Sequence, residues 1–271
     1  MPVHVNALQP MAGATPVHGL VSYDYYDERL GFCRPSSGIK AERGSLGSIL
    51  FGDRIYNSPL AVDMLQAKSC VPICKTQATP EQADFINKRI FERYAVNWMV
   101  DGLPAADIDL ATNAEQSLRA NSVGFVLGTI LDAQGHRLKT PALYNHYQLN
   151  ISYHERSPNE YRVVGVNVRP MSLSSLPAGN AGAEPRCDVN EPMFLNPNAT
   201  TPVAYTYSVV WTRSNTPWAT RWDAYLHVVD PRIHWYSLLN STAIVALLCV
   251  IVAIIMARSM RRDIYLSLIH I

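Results

Sequence analysis

The chain lacks a charge bias. Lys and Arg number 23 and Asp and Glu 22, giving a formal net charge of +1 over 271 residues. No basic run precedes residue 258, so nothing points to nucleic acid as a partner. The common catalytic signatures are missing as well: there is no GxSxG, HExxH, Walker lysine loop or GxGxxG. No catalytic residue is therefore assigned, and the chain does not read as an enzyme. The five cysteines include no CxxC pair. A zinc site needs four converging ligands, so neither metal nor cofactor is expected. Met1 to Gly13 has no basic n-region and no apolar h-region of the kind a secretory signal carries.

Long apolar runs are also absent, with one exception. Tyr236 to Ala257 holds 22 residues without a charge. At 1.5 Å rise per residue this is enough to cross a hydrocarbon core of about 30 Å. Trp235 and Tyr236 stand at its entry, where amphipathic rings favour the headgroup level. Asn240 can bond a neighbouring helix or be wetted at the interface. Arg258, Arg261 and Arg262 follow at its exit, whereas Arg221 and Arg232 before it are offset by Asp223 and Asp230. The positive-inside tendency places the arginine flank in the cytosol and the preceding 235 residues outside it.

Four cysteines precede the span: Cys33, Cys70, Cys74 and Cys187, with Cys249 inside it. An even number in an oxidising compartment implies two disulfides. Three connectivities exist, and Cys70–Cys74 with Cys33–Cys187 is the first expectation. Asn198 and Asn150 lie in N-x-S/T tripeptides and are candidate glycosylation sites.

The extramembrane part, 1–234, reads as mainly β. Strands are expected at Val3–Leu8, Leu60–Leu65, Gly124–Gly128, Asn145–His154, Tyr161–Arg169 and Tyr205–Trp211. Val164, Val166 and Val168 should share one face. Val21–Tyr26 is aromatic-rich and half alternating. Val71–Cys74 contains Pro72, which confines it to an edge. One helix has a start signal: Thr79 caps, Pro80 suits the first turn, and Gln82 closes a capping box. The stripe Ala83, Ile86, Ile90, Tyr94 carries it to about Asn97. Pro170 to Pro202 reads as a long exposed loop. Together these predict an antiparallel β-sandwich-like domain with one or two helices, followed by the transmembrane helix.

His146, His154, His227 and His234 read as packed or surface histidines, and Asp107 with Asp109 as a solvated loop. Trp211, Trp218, Arg221, Trp222, Asp223 and Tyr225 form the densest aromatic–charge cluster. Arg221 and Asp223 could pair under the tryptophans, giving a ligand surface or fixing the domain to the membrane.

Several of these motifs carry a family resemblance. Tyr23-Asp24-Tyr25-Tyr26 with Phe32-Cys33-Arg34-Pro35, and Gly52 through Pro59, resemble the transmembrane 9 superfamily, also called nonaspanins or the endomembrane protein 70 family. So do Cys70 with Cys74, Asn97-Trp98 with Asp101-Gly102-Leu103-Pro104, Asn145-His146, and Tyr161 through Gly165. Trp218–Leu226, His234–Ser237 and Arg261-Arg262-Asp263-Ile264 complete the set, in order along the chain. The resemblance implies nine spans in Golgi and endosomal membranes, with the N-terminal domain luminal. It implies a role in sorting other membrane proteins, through the lipid bilayer and the transmembrane segments of cargo. A single-pass receptor or adhesion protein and a transporter subunit are the rival classes.

The resemblance also makes 235–257 the first of nine spans and 258–265 the start of a cytosolic loop, in a chain that is an N-terminal fragment. Where the family continues with a polar stretch, this chain reads Leu266-Ser267-Leu268-Ile269-His270-Ile271. That matches the translation of a transposon-end sequencing adapter, so 266–271 is expected to be a non-native tail. A genomic read past the codon for Tyr265 decides this.

Overall fold

A computed structural model describes residues 1–11, 21–42, 44, 46, 52–107, 123–132, 139–158, 160–176, 184–188, 191–226 and 235–269. The chain divides into two units, Met1–Val228 and Val229–Ile271. The first is a mainly-β domain. Its strands are β1 (Pro2–Pro10), β2 (Tyr56–Ala61), β3 (Lys68–Ala78), β4 (Tyr94–Val100), β5 (Leu103–Pro104) and β6 (Ala106–Asp107). They continue with β7 (Phe125–Val126), β8 (Gly128–Asp132), β9 (Lys139–Leu143), β10 (His146–Ser157), β11 (Glu160–Met171) and β12 (Thr201–Arg213).

One sheet runs β2-β1-β4-β5, with β7 also on β4. A second runs β3-β12-β10-β11-β6, and β8 pairs with β9. Most pairings are antiparallel, but β10–β12 and β11–β6 are parallel. The two large sheets share one core. Trp98 of β4 lies 4.7 Å, ring to ring, from Tyr147 of β10 and 5.0 Å from Phe125 of β7. Val3, Val5, Leu149, Ile151 and Val203 join the same apolar cluster.

Helix α1 (Pro80–Phe91) starts as its sequence specifies. The Thr79 side chain accepts from the Gln82 backbone N–H, and the Gln82 side chain reaches back to the cap. Ala83, Ile86 and Ile90 are buried. The helix ends at Phe91, short of the expected Asn97. Arg93 adopts a left-handed conformation, φ 54°, which a helix cannot continue through, and Tyr94 opens β4 instead. The chain then reverses at Asp101 and Gly102, both with positive φ (51° and 73°). This Asp-Gly pair suits a two-residue hairpin.

Other boundaries moved. The strand expected at Leu60–Leu65 is β2, which ends at Ala61, and Val21–Tyr26 contributes only an isolated bridge from Tyr23 to Leu8. In β11 the face is Val163, Val166 and Val168 rather than Val164, Val166 and Val168. Ser152 pairs Gly165 while Tyr153 pairs Val163, so Val164 is the extra residue of a β-bulge that resets the alternation. Pro72 does lie on an edge strand, β3. The region from Pro170 to Pro202 is not wholly exposed: Leu173, Met193 and Leu195 are buried.

After the short helix α2 (Asp223–Leu226) of the first unit comes α3 (Trp235–Ile269), 35 residues without a break. It runs through Arg258, Arg261 and Arg262, where a loop was expected from residue 258.

Candidate functional site

Helix α3 presents apolar side chains to its surroundings along its described length. Leu239–Tyr265 is long and apolar enough to cross a membrane, and none of it is buried. Val250, Ile251 and Ile255 are exposed, which in water would leave a large apolar surface uncovered. A bilayer removes that cost while the helix satisfies its own backbone hydrogen bonds. Cys249 lies in this stretch as a free, exposed thiol.

The domain holds two disulfides, Cys33–Cys74 and Cys70–Cys187, each with Cα atoms 5.8 Å apart. This corrects the expected pairing. Cys70 and Cys74 lie on the same strand, β3, and four residues of strand span about 13 Å, well beyond disulfide reach. The bonds differ in setting. Cys33 is buried in the apolar core, with Cys74 packed against it. Cys70 and Cys187 are half-buried beside a polar cluster built on β10 and β12.

That cluster centres on His146, which is buried. Its Nδ1 is 2.7 Å from Thr206 Oγ1 and 3.5 Å from Cys187 Sγ, and its Nε2 is 3.3 Å from Ser208 Oγ. The parallel register of β10 on β12 sets His146 opposite Thr206. Tyr207 pairs Val71 but Val209 pairs Lys68, so β3 bulges at Ser69 and Cys70. There the Cys70 N–H donates to Ser208 Oγ at 3.0 Å rather than to the ladder. Burial holds the His146 imidazole neutral, with its pKa lowered to about 4.

The aromatic–charge cluster is organised around Arg221. Its guanidinium donates to Asp101 at 3.1 Å and to the Val163 carbonyl at 3.1 Å. The expected Arg221–Asp223 pair is thus replaced by a partner from the β4–β5 turn. The Trp218 ring has Arg221 4.8 Å and Arg162 5.2 Å from its centroid. A cavity of about 290 Å³ opens beside it, lined by Met1, Met64, Asp101, Tyr161, Arg162 and Trp218 among others.

The remaining candidates scatter. His154 is half-buried, with Nδ1 3.1 Å from the Ser214 carbonyl oxygen. Asp107 is buried in β6 rather than solvated, because its strand pairs with β11. Asp109, His227 and His234 lie outside the described residues. Asn198 sits exposed in a turn, and Asn150 lies half-buried within β10. Arg258, Arg261 and Arg262 are exposed on α3. Among the described residues no group of three or more His, Cys, Asp or Glu side chains could hold a metal. Sequence reasoning missed the His146 cluster and the Arg221–Asp101 bond. Asp101-Gly102 was a readable turn signal for the second; the first depends on a non-consecutive strand pairing.

A β-rich domain followed by an exposed apolar helix defines a membrane protein. The family profile described as Endomembrane protein 70 matches residues 22–268, and the chain belongs to this family, the transmembrane 9 superfamily. The match takes in 266–268, three of the residues expected to be non-native. A transmembrane 9 superfamily protein of Schizosaccharomyces pombe is 40% identical over 96% of this chain and 40% of its own length. Transmembrane 9 superfamily member 2 of Saccharomyces cerevisiae is 37% identical over 91% of this chain and 41% of its own. Human transmembrane 9 superfamily member 4 is 33% identical over 97% and 42%. The chain spans about two fifths of the length of these relatives.

Proposed function

We propose that the protein is a non-enzymatic sorting factor of Golgi and endosomal membranes, with residues 1–234 luminal. The family match across both the β domain and α3 carries this reading. The family is described as an endomembrane one and the relatives as transmembrane 9 superfamily proteins. Three features support the orientation. Arg258, Arg261 and Arg262 follow the apolar run, as cytosolic flanks do. Two disulfides in the domain suit an oxidising lumen. Asn198, the better-placed glycosylation candidate, is exposed. In this reading the bilayer and the transmembrane segments of cargo proteins are the partners, and nucleic acid is not.

The test is delivery of reporter membrane proteins in cells deleted for the full-length gene. Reporters with polar or glycine-rich spans, the cargo type that the family resemblance implies, should be retained, and reporters with leucine-rich spans should reach the surface normally. Unchanged delivery of both classes would overturn the sorting role.

A further inference from the structure

We propose that the Cys70–Cys187 disulfide is a thiol-exchange site, with Cys187 as the leaving sulfur, Thr206 as the donor that stabilises its thiolate and His146 as the donor that orients and polarises Thr206. The Cys33–Cys74 bond, in the apolar core, is the inert one.

The hydrogen-bond directions follow from the donors available. Ser208 Oγ accepts from the Cys70 N–H, so its own proton is free for His146 Nε2. An accepting Nε2 places the imidazole proton on Nδ1. That proton points at Thr206 Oγ1 at 2.7 Å, with Cys187 Sγ at 3.5 Å from the same nitrogen. Thr206 Oγ1 is in turn 3.6 Å from Cys187 Sγ. A disulfide sulfur has no proton, so the threonine hydroxyl is the donor. The relay starts at the backbone of Cys70 and ends at the sulfur of Cys187.

The exchange balances as follows. A thiolate of a low-molecular-weight thiol attacks Cys70 Sγ. The Cys70–Cys187 bond breaks, and its electron pair leaves on Cys187 Sγ. The new thiolate accepts from Thr206 Oγ1–H, whose oxygen accepts in turn from His146 Nδ1–H. A second thiolate attacks the external sulfur of the mixed disulfide and releases Cys70. Two external thiols are oxidised to one disulfide, and the cysteine thiolates take up two protons. A better-stabilised leaving thiolate leaves faster. The neighbouring segment 184–188 is held by this bond and by Arg186 N–H to the Ser175 carbonyl, 2.9 Å. The site does not depend on the sorting role.

The test uses the full chain in detergent micelles, treated with graded reduced glutathione and then alkylated in two isotopic steps for peptide mapping. Cys70 and Cys187 should be labelled at least about tenfold faster than Cys33 and Cys74, the factor that a hydrogen bond to a charged group supports. His146→Leu should slow labelling of Cys70 and Cys187 by about tenfold, leaving Cys33 and Cys74 unchanged. His146→Asn, which restores an N–H donor, should recover most of the rate. Equal rates for the two pairs in the wild-type chain, or earlier labelling of Cys33 and Cys74, would overturn the proposal. So would a His146→Leu rate that matches or exceeds wild type. The wild-type comparison needs no variant to fold.

Discussion

The isoleucines that pack the core of the β domain and those that line α3 are in opposite settings. In the β domain, Ile86, Ile90 and Ile151 are 3%, 2% and 0% exposed. In α3, Ile244, Ile254 and Ile255 are 51%, 52% and 60% exposed. Single exposed isoleucines also occur on the domain, such as Ile39 and Ile130, but only α3 exposes a continuous apolar run, among the described residues, and such a run fits lipid rather than water. The domain folds against water and hides apolar surface between sheets, at roughly 25 cal/mol per Å² removed from water. The helix satisfies its own backbone and leaves the apolar surface to lipid. Truncation and charge insertion should therefore have opposite rankings in the two parts.

The largest effect is expected in the domain. Trp98 is enclosed by Phe125 and Tyr147, so Trp98→Ala should cost about 3–5 kcal/mol of unfolding free energy. Ile251→Ala in α3 should cost well under about 1 kcal/mol, since lipid fills the space. Denaturant unfolding of the full chain in micelles compares them, and equal losses would break the two-solvent picture. Next comes a charge. Ile251→Arg should oppose membrane integration by about 3 kcal/mol and raise the carbonate-extractable fraction.

Acid should act on the domain alone. The His146 pKa is lowered to about 4 from an ordinary 6.5, so the unfolded chain binds the proton first. Stability from this group is complete above pH 6.5 and declines as pH falls toward 4. The loss is at most about 3 kcal/mol. A melting profile against pH should slope there in the wild type and flatten in His146→Asn. The smallest effect is at the cap: Thr79→Ala should cost about 1 kcal/mol, read as a shift in denaturant midpoint without change in slope.

The same contrast explains what could be read from the sequence. The span was legible because 22 uncharged residues need no tertiary context. So was the start of α1, where Thr79, Pro80 and Gln82 act locally. Its end was not, because Tyr94 continues the helical stripe and only the left-handed Arg93 breaks it. The face of β11 shifted at the Val164 bulge, which depends on the partner strand. The disulfides and the His146 cluster depend on β3, β10 and β12 meeting although they are far apart in sequence. Local chemistry could be read directly, whereas features made by non-consecutive strands could not.

Protease protection in sealed membrane vesicles, from cells that make the protein, tests the central claim most directly. External protease should cut on the Arg258–Arg262 side and leave a fragment containing the β domain intact until detergent is added. Digestion of the β domain in sealed vesicles, or its release by carbonate with α3 attached, would contradict a luminal domain held by a membrane-spanning α3.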